Sequence, residues 1–125
     1  MTWSQLHERM ALMGELIDLA GAEGDIELAM AERTGEVDRL FGNEENLLLA
    51  LRHRWVTMLT AKLDQAVHED IPADVARAAL LAANPGPKVL LDVGARRSLR
   101  VRALRRSESQ IVEVYEGPHI ARRTA

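Results

Sequence analysis

Asn43-Glu44-Glu45 opens the stretch that most limits what this chain can fold into. Beyond it Leu48, Leu51, Trp55, Met58, Leu59, Leu63, Ala66 and Val67 recur at helical spacing, with no glycine or proline before Pro72. Asn43 fits an N-cap, and the two glutamates set negative charge against the positive end of a helix. The pattern predicts one helix to about Glu69, roughly 40 Å long at 1.5 Å per residue. A helix of that length must be covered along its whole apolar side. Aromatic residues make up only 3% of the chain, so the cover has to be aliphatic.

The residues before it supply part of that cover. Thr2 with Gln5 fits a capping box, and Met1 with Leu6 fits the hydrophobic staple that accompanies one. Leu6, Met10, Met13, Ile17 and Ala20 then form an apolar helical stripe. Gly21 and Gly24 interrupt it, and the stripe resumes one residue out of phase at Ile26, Met30, Val37 and Leu40. This predicts either two helices with a break near Gly24 or one long helix that slips phase there. The short Phe41-Gly42-Asn43 turn sets this first arm antiparallel to the second. A third, short helix follows, with Asp70 as cap, Pro72 in its first turn, and Asn84-Pro85-Gly86-Pro87 as its stop.

After Pro87 the apolar period reads as two. Val89, Leu91 and Val93 share a face within Lys88–Val93; Leu99, Val101 and Ala103 do so within Ser98–Leu104; Val112 and Val114 do so within Gln110–Tyr115. Three short alternating runs predict an antiparallel meander. The expected fold class is therefore α+β: a long antiparallel helical hairpin plus a short third helix, followed by a small three-stranded antiparallel sheet. Residues 1–86 form the helical, oligomerising region and residues 87–125 a small basic β region with a flexible tail. A chain of 125 residues makes these one compact domain.

Charge divides along the same line. Residues 1–87 hold seven basic and fifteen acidic side chains, whereas 88–125 hold nine basic and four acidic. Such asymmetry marks either an anionic partner or halves that attract each other. Six arginines fall between Gly94 and Gln110. On the expected sheet, Arg100 and Arg102 face Asp92 and Glu113 across strands. Arg96 and Arg97 stand in one loop and Arg105 and Arg106 in another, with Arg122 and Arg123 in the tail. These loop and tail arginines are the candidate contacts to phosphate or nucleic acid.

No constellation for catalysis or cofactor binding stands out. With no cysteine there is no disulfide, thiolate metal site or cysteine nucleophile, which suits a reducing cytoplasm. Clean apolar runs such as Leu47–Leu51 are far too short to span a membrane, so neither a transmembrane helix nor a signal peptide is expected. Asp64, His68 and Glu69 form the least implausible polar cluster, of use to an enzyme only if a pocket is shared between subunits. Gly21-Ala22-Glu23-Gly24 lacks the lysine of a phosphate loop. Trp55 reads as a core anchor, Trp3 as an interface residue.

The leading expectation is a non-enzymatic cytoplasmic interaction protein, an oligomerising adaptor or a small subunit of a larger assembly, needing no cofactor and no metal. Its partner would be a second copy or another protein, met through Trp3, Leu6, Met10, Met13 and Ile17. The alternative is a nucleic-acid-associated regulatory factor working through the C-terminal arginines.

Overall fold

A computed structural model describes residues 1–22 and 24–124, with side chains given as far as residue 117. Among the described residues the chain forms seven helices and no strand: α1 (Trp3–Gly21), α2 (Ile26–Glu32), α3 (Thr34–Phe41), α4 (Glu44–His68), α5 (Ala73–Ala83), α6 (Pro85–Arg97) and α7 (Leu99–Thr124).

The long helix is the spine. Asn43 caps α4, its side chain accepting from the Asn46 amide, with Glu44 and Glu45 in the first turn. Its far end closes in a left-handed cap that uses aspartate rather than glycine. Asp70 has φ 60°, its amide donates to Val67 O at 3.3 Å, and the Ile71 amide donates to Ala66 O at 2.9 Å. This is a Schellman arrangement, and it seats Ile71 against the core. Asp70 thus ends α4; α5 begins at Pro72 without a side-chain cap.

Two apolar clusters lie along α4. Leu47, Leu48 and Leu51 meet Leu12, Leu16, Ile26, Met30, Val37 and Leu40 from the first three helices and Leu90, Val93 and Val101 from the last two. Trp55, Leu59, Leu63 and Ala66 meet Ala73 and Ala76 of α5, with Ile111, Val112 and Tyr115 of α7 packed alongside.

The first arm is neither of the simple forms expected. The Thr2–Gln5 capping box opens α1, but the chain breaks at Gly21 and again at Arg33. Asp25 caps the short α2 by accepting from the Leu28 amide at 3.1 Å. The one-residue phase slip between the two stripes is resolved by turning the chain. As a result α1 lies chiefly against α6 rather than forming a hairpin arm on α4.

The larger correction concerns residues 87–125. The three expected strands are helical: Lys88–Val93 belongs to α6, both Leu99–Leu104 and Gln110–Tyr115 belong to α7, and Ser98 is the link between the two helices. Asn84-Pro85-Gly86-Pro87 does stop α5, but it also starts α6, with prolines in the first turn where backbone N–H groups have no helical partner to lose. Buried Gly86, Leu90, Val93 and Gly94 then follow the helical period on α6. On α7 the inward residues are Val101, Leu104, Glu108, Ile111 and Tyr115, at steps of three, four, three and four. The middle member of that stripe is a carboxylate, which is why the stripe does not look apolar. The cross-strand pairings go with the sheet: Arg100 binds Glu45 at 3.1 Å, Arg102 Nε donates to Ala95 O at 2.8 Å, and Asp92 is met by Arg105 at 3.4 Å.

Candidate functional site

Four of the C-terminal arginines, Arg96, Arg97, Arg100 and Arg105, are matched to acids, three of them from the other half of the chain. Arg96 lies 3.2 Å from Glu27 of α2, and Arg97 lies 3.0 Å from Glu44 of α4. With Arg100 on Glu45, three basic side chains dock onto the acidic N-terminal half, so that much of the division of charge is satisfied within the molecule. Hydrogen bonding from Glu44 holds the Arg97 guanidinium above its ordinary range. These are exposed pairs, each contributing on the order of 0.5 kcal/mol. Their consequence for function is a weakened claim on phosphate. Arg106 is exposed and makes no ion pair or hydrogen bond among the described residues. The side chains of Arg122 and Arg123 lie outside the described residues.

One charge cluster is different, because it is buried. Glu108 enters the lower core from α7 with its side chain 7% exposed, and Arg52 of α4 meets it with 5% exposed. Glu108 Oε1 accepts from Trp55 Nε1 at 2.7 Å and from Arg52 Nη2 at 3.2 Å. Its Oε2 accepts from Arg77 of α5 twice, from Nε at 2.9 Å and Nη2 at 2.6 Å. Arg52 Nη2 also donates to Leu104 O at 3.0 Å, while its Nε is buried with no partner among the described residues. Burial pushes the Arg52 guanidinium down from its ordinary range; Glu108 opposes that, and the nearby cations Arg105 and Arg77 reinforce it. One carboxylate thus joins α4, α5 and α7.

Sequence reading places Trp55 correctly as a core anchor but misses this cluster. Glu108 falls between the expected strands Ser98–Leu104 and Gln110–Tyr115, and Arg52 lies outside the apolar pattern of the long helix. The signal available was the position of Glu108 in the stripe from Val101 to Tyr115, four residues after Leu104 and three before Ile111.

Asp64, His68 and Glu69 do not assemble into a working site. Asp64 accepts from the Tyr115 hydroxyl of α7, Glu69 accepts from Gln65 at 3.0 Å, and His68 is exposed in the last turn of α4. No group of three metal-ligating side chains is present among the described residues. The hydrogen bond to Asp64 holds the Tyr115 phenol above its ordinary range. A raised folded pKa means stability fully present below the unfolded value, about 10, and lost as pH rises through the folded one. Alkaline titration of wild type is therefore expected to lose a little more stability than Tyr115→Phe, as read from urea midpoints at neutral and alkaline pH. Equal losses in the two proteins would remove the tether.

The expected interface stripe on α1 is divided by the fold. Met13 is 7% exposed and sits in the upper core, and Ile17 packs against that core. Trp3, Leu6 and Met10 remain outside, 74%, 36% and 49% exposed, with Met1 beside them. The helix that bears them is firmly held: Glu8 pairs with Arg39 at 2.6 Å, Glu15 with Arg33 at 2.8 Å, and the Arg9 guanidinium lies 5.2 Å from the centre of the Phe41 ring. Among the described residues Trp3 has His7 as its ring neighbour, at 4.7 Å between centroids. The helix thus begins with two turns whose apolar side chains are left exposed among the described residues.

No helix among the described residues is long and apolar enough to cross a membrane. Comparison with protein-family models, with curated proteins and with solved structures finds no match.

Proposed function

We propose that this chain is a non-enzymatic cytoplasmic interaction protein that associates with a second copy of itself through the N-terminal face of α1. The observation that carries the reading is the exposed run Trp3, Leu6 and Met10 on a helix whose continuation, Met13 and Ile17, enters the core. Isolated surface apolar residues are ordinary, but a contiguous run led by a tryptophan is the composition of an interface.

The spacing favours self-association. Trp3 and Met10 lie three and four residues on either side of Leu6. Two antiparallel copies of α1 related by a two-fold axis at Leu6 would set Met10 of each against Trp3 of the other. A thioether against an indole ring is a favourable contact, and a two-fold interface requires this self-complementarity. Two turns of helix span only about 11 Å, which puts the interface at the small end of the range and the dissociation constant at about micromolar. The alternative role in nucleic-acid binding is weaker, because Arg96 and Arg97 each face a carboxylate.

Trp3 reports on this directly. Acrylamide quenching of its fluorescence is expected to fall as protein concentration rises through the micromolar range, with Trp55, 1% exposed, contributing a constant background. Leu6→Glu should hold quenching at the dilute level without lowering the unfolding temperature. Concentration-independent quenching in wild type would end the self-association reading.

A further inference from the structure

Beside the Glu108 cluster a cleft of about 330 Å³ opens between α5, α6 and α7. Each helix contributes residues four apart: Arg77 and Leu81 from α5, Lys88 and Asp92 from α6, Arg105 and Ser109 from α7. We propose that this cleft is a binding site for a small phosphate monoester.

Charge is the first ground. Four cations line the cleft, Arg52, Arg77, Lys88 and Arg105, against two carboxylates, Asp92 and Glu108. Both acids are already engaged, Glu108 by Arg52 and Arg77, and Asp92 by Arg105. The excess is of two positive charges, and it is felt at buried Arg52, where Arg77 and Arg105 act as destabilising neighbours. A phosphate monoester carries about −1.5 to −2 at neutral pH, which matches the excess better than a single carboxylate does.

Donor geometry is the second. A guanidinium has five N–H donors in a planar fork. Arg77 directs Nε and Nη2 at Glu108, and its Nη1 makes no hydrogen bond among the described residues. Glu108 therefore fixes the plane of a guanidinium whose remaining donors stay available, a preorganised anion contact. Lys88 stands exposed opposite it as a mobile point charge. Leu81 and Leu91 complete the lining and give the organic part of a monoester an apolar wall. The volume lies at the lower end of the range usual for small-molecule sites.

The test uses the full chain at fixed ionic strength, with inorganic phosphate, phenyl phosphate and benzoate as probes in calorimetric titration. Phenyl phosphate should bind saturably and more tightly than either inorganic phosphate or benzoate. Lys88→Ala with Arg105→Ala, both outside the Arg52–Glu108–Arg77 cluster, should weaken it by about tenfold or more while the circular dichroism and unfolding temperature stay near wild type. Lys62→Ala, on α4 away from the cleft, should leave affinity unchanged. Absence of saturable binding, equal binding of phenyl phosphate and benzoate, or equal weakening by Lys62→Ala would each overturn the proposal.

Discussion

Glu108→Ala is expected to cost about 3–5 kcal/mol of folding stability, a large share of what a domain of this size possesses. The substitution removes one carboxylate and leaves three donors behind it. Arg52 would stay buried with only Leu104 O as acceptor, the Trp55 indole N–H would lose its partner, and Arg77 would be released from α7. Removing one partner of a buried pair is costly because it strands the other charge in a low-dielectric setting. Glu108→Gln keeps the shape and an accepting oxygen, so its loss should be smaller. Replacing both buried partners together, Arg52→Met with Glu108→Leu, should recover much of the loss, since the stranded charge goes too. Urea midpoints at unchanged m-value would measure the series, and a double-mutant cycle would isolate the coupling. A loss below about 1 kcal/mol for Glu108→Ala would mean that water already reaches the cluster.

The second large effect is expected at Gly86. A Cβ at this position would lie 2.2 Å from the backbone oxygen of Ile17 and 3.1 Å from Ile17 Cγ2. Gly21 stands on the same crossing, its own hypothetical Cβ 3.5 Å from the Gly86 nitrogen. Gly86 therefore sets how closely α1 and α6 approach, whereas a Cβ on Gly21 would sit in ordinary contact. An oxygen of the main chain cannot rotate away, so Gly86→Ala has to push the helices apart and disturb the upper core. A loss of about 3 kcal/mol is expected, against the roughly 1 kcal/mol that alanine would otherwise gain within a helix. Gly14→Ala is the control. Nothing lies within 4 Å of its Cβ, so the same substitution midway along α1 should stabilise by about 0.5–1 kcal/mol. Opposite signs in thermal unfolding would locate the crossing, and a neutral Gly86→Ala would place α6 elsewhere.

How far the sequence disclosed this fold depended on what kept the helices in register. Where the signals were local they could be read. Thr2 with Gln5 opens α1, Asn43 opens α4, and the stripe from Leu48 to Val67 is a helix of the expected extent. The break between Gly21 and Ile26 was one of two stated options, but the further break at Arg33, two residues before Gly35, was not read from the sequence. Asp70 closes α4 from a left-handed position usually given to glycine, which is why sequence reading took it for the cap of the next helix.

The last third was misread for a physical reason. Val89, Leu91 and Val93 alternate, yet four of the buried residues on α6 are Gly86, Leu90, Val93 and Gly94, and two of these are glycines that carry no apolar signal. On α7 the stripe is interrupted at its centre by Glu108, buried because three donors from α4 and α5 converge on it. A pattern that scores only apolar residues cannot see an inward carboxylate, and without it Val101, Leu104, Ile111 and Tyr115 fall apart into two short runs. The arginines outside that stripe then looked like a free basic surface, although several are paired with acids distant in sequence. The stripe on α1 was visible as a whole. Its division into a buried half and an exposed half depends on where α6 ends its cover, which is a tertiary fact.

The account places outward function on the apolar end of α1 and gives the arginines chiefly to the fold. Absolute mass in solution, by light scattering behind a sizing column across micromolar concentrations at low and high salt, tests this most directly. The expected result is a mass rising with concentration toward twice the 13.9 kDa of one chain. That rise should be no weaker at high salt, because apolar burial drives it, and absent in Leu6→Glu. A mass fixed at one chain throughout, or association that disappears as salt screens charge, would contradict it.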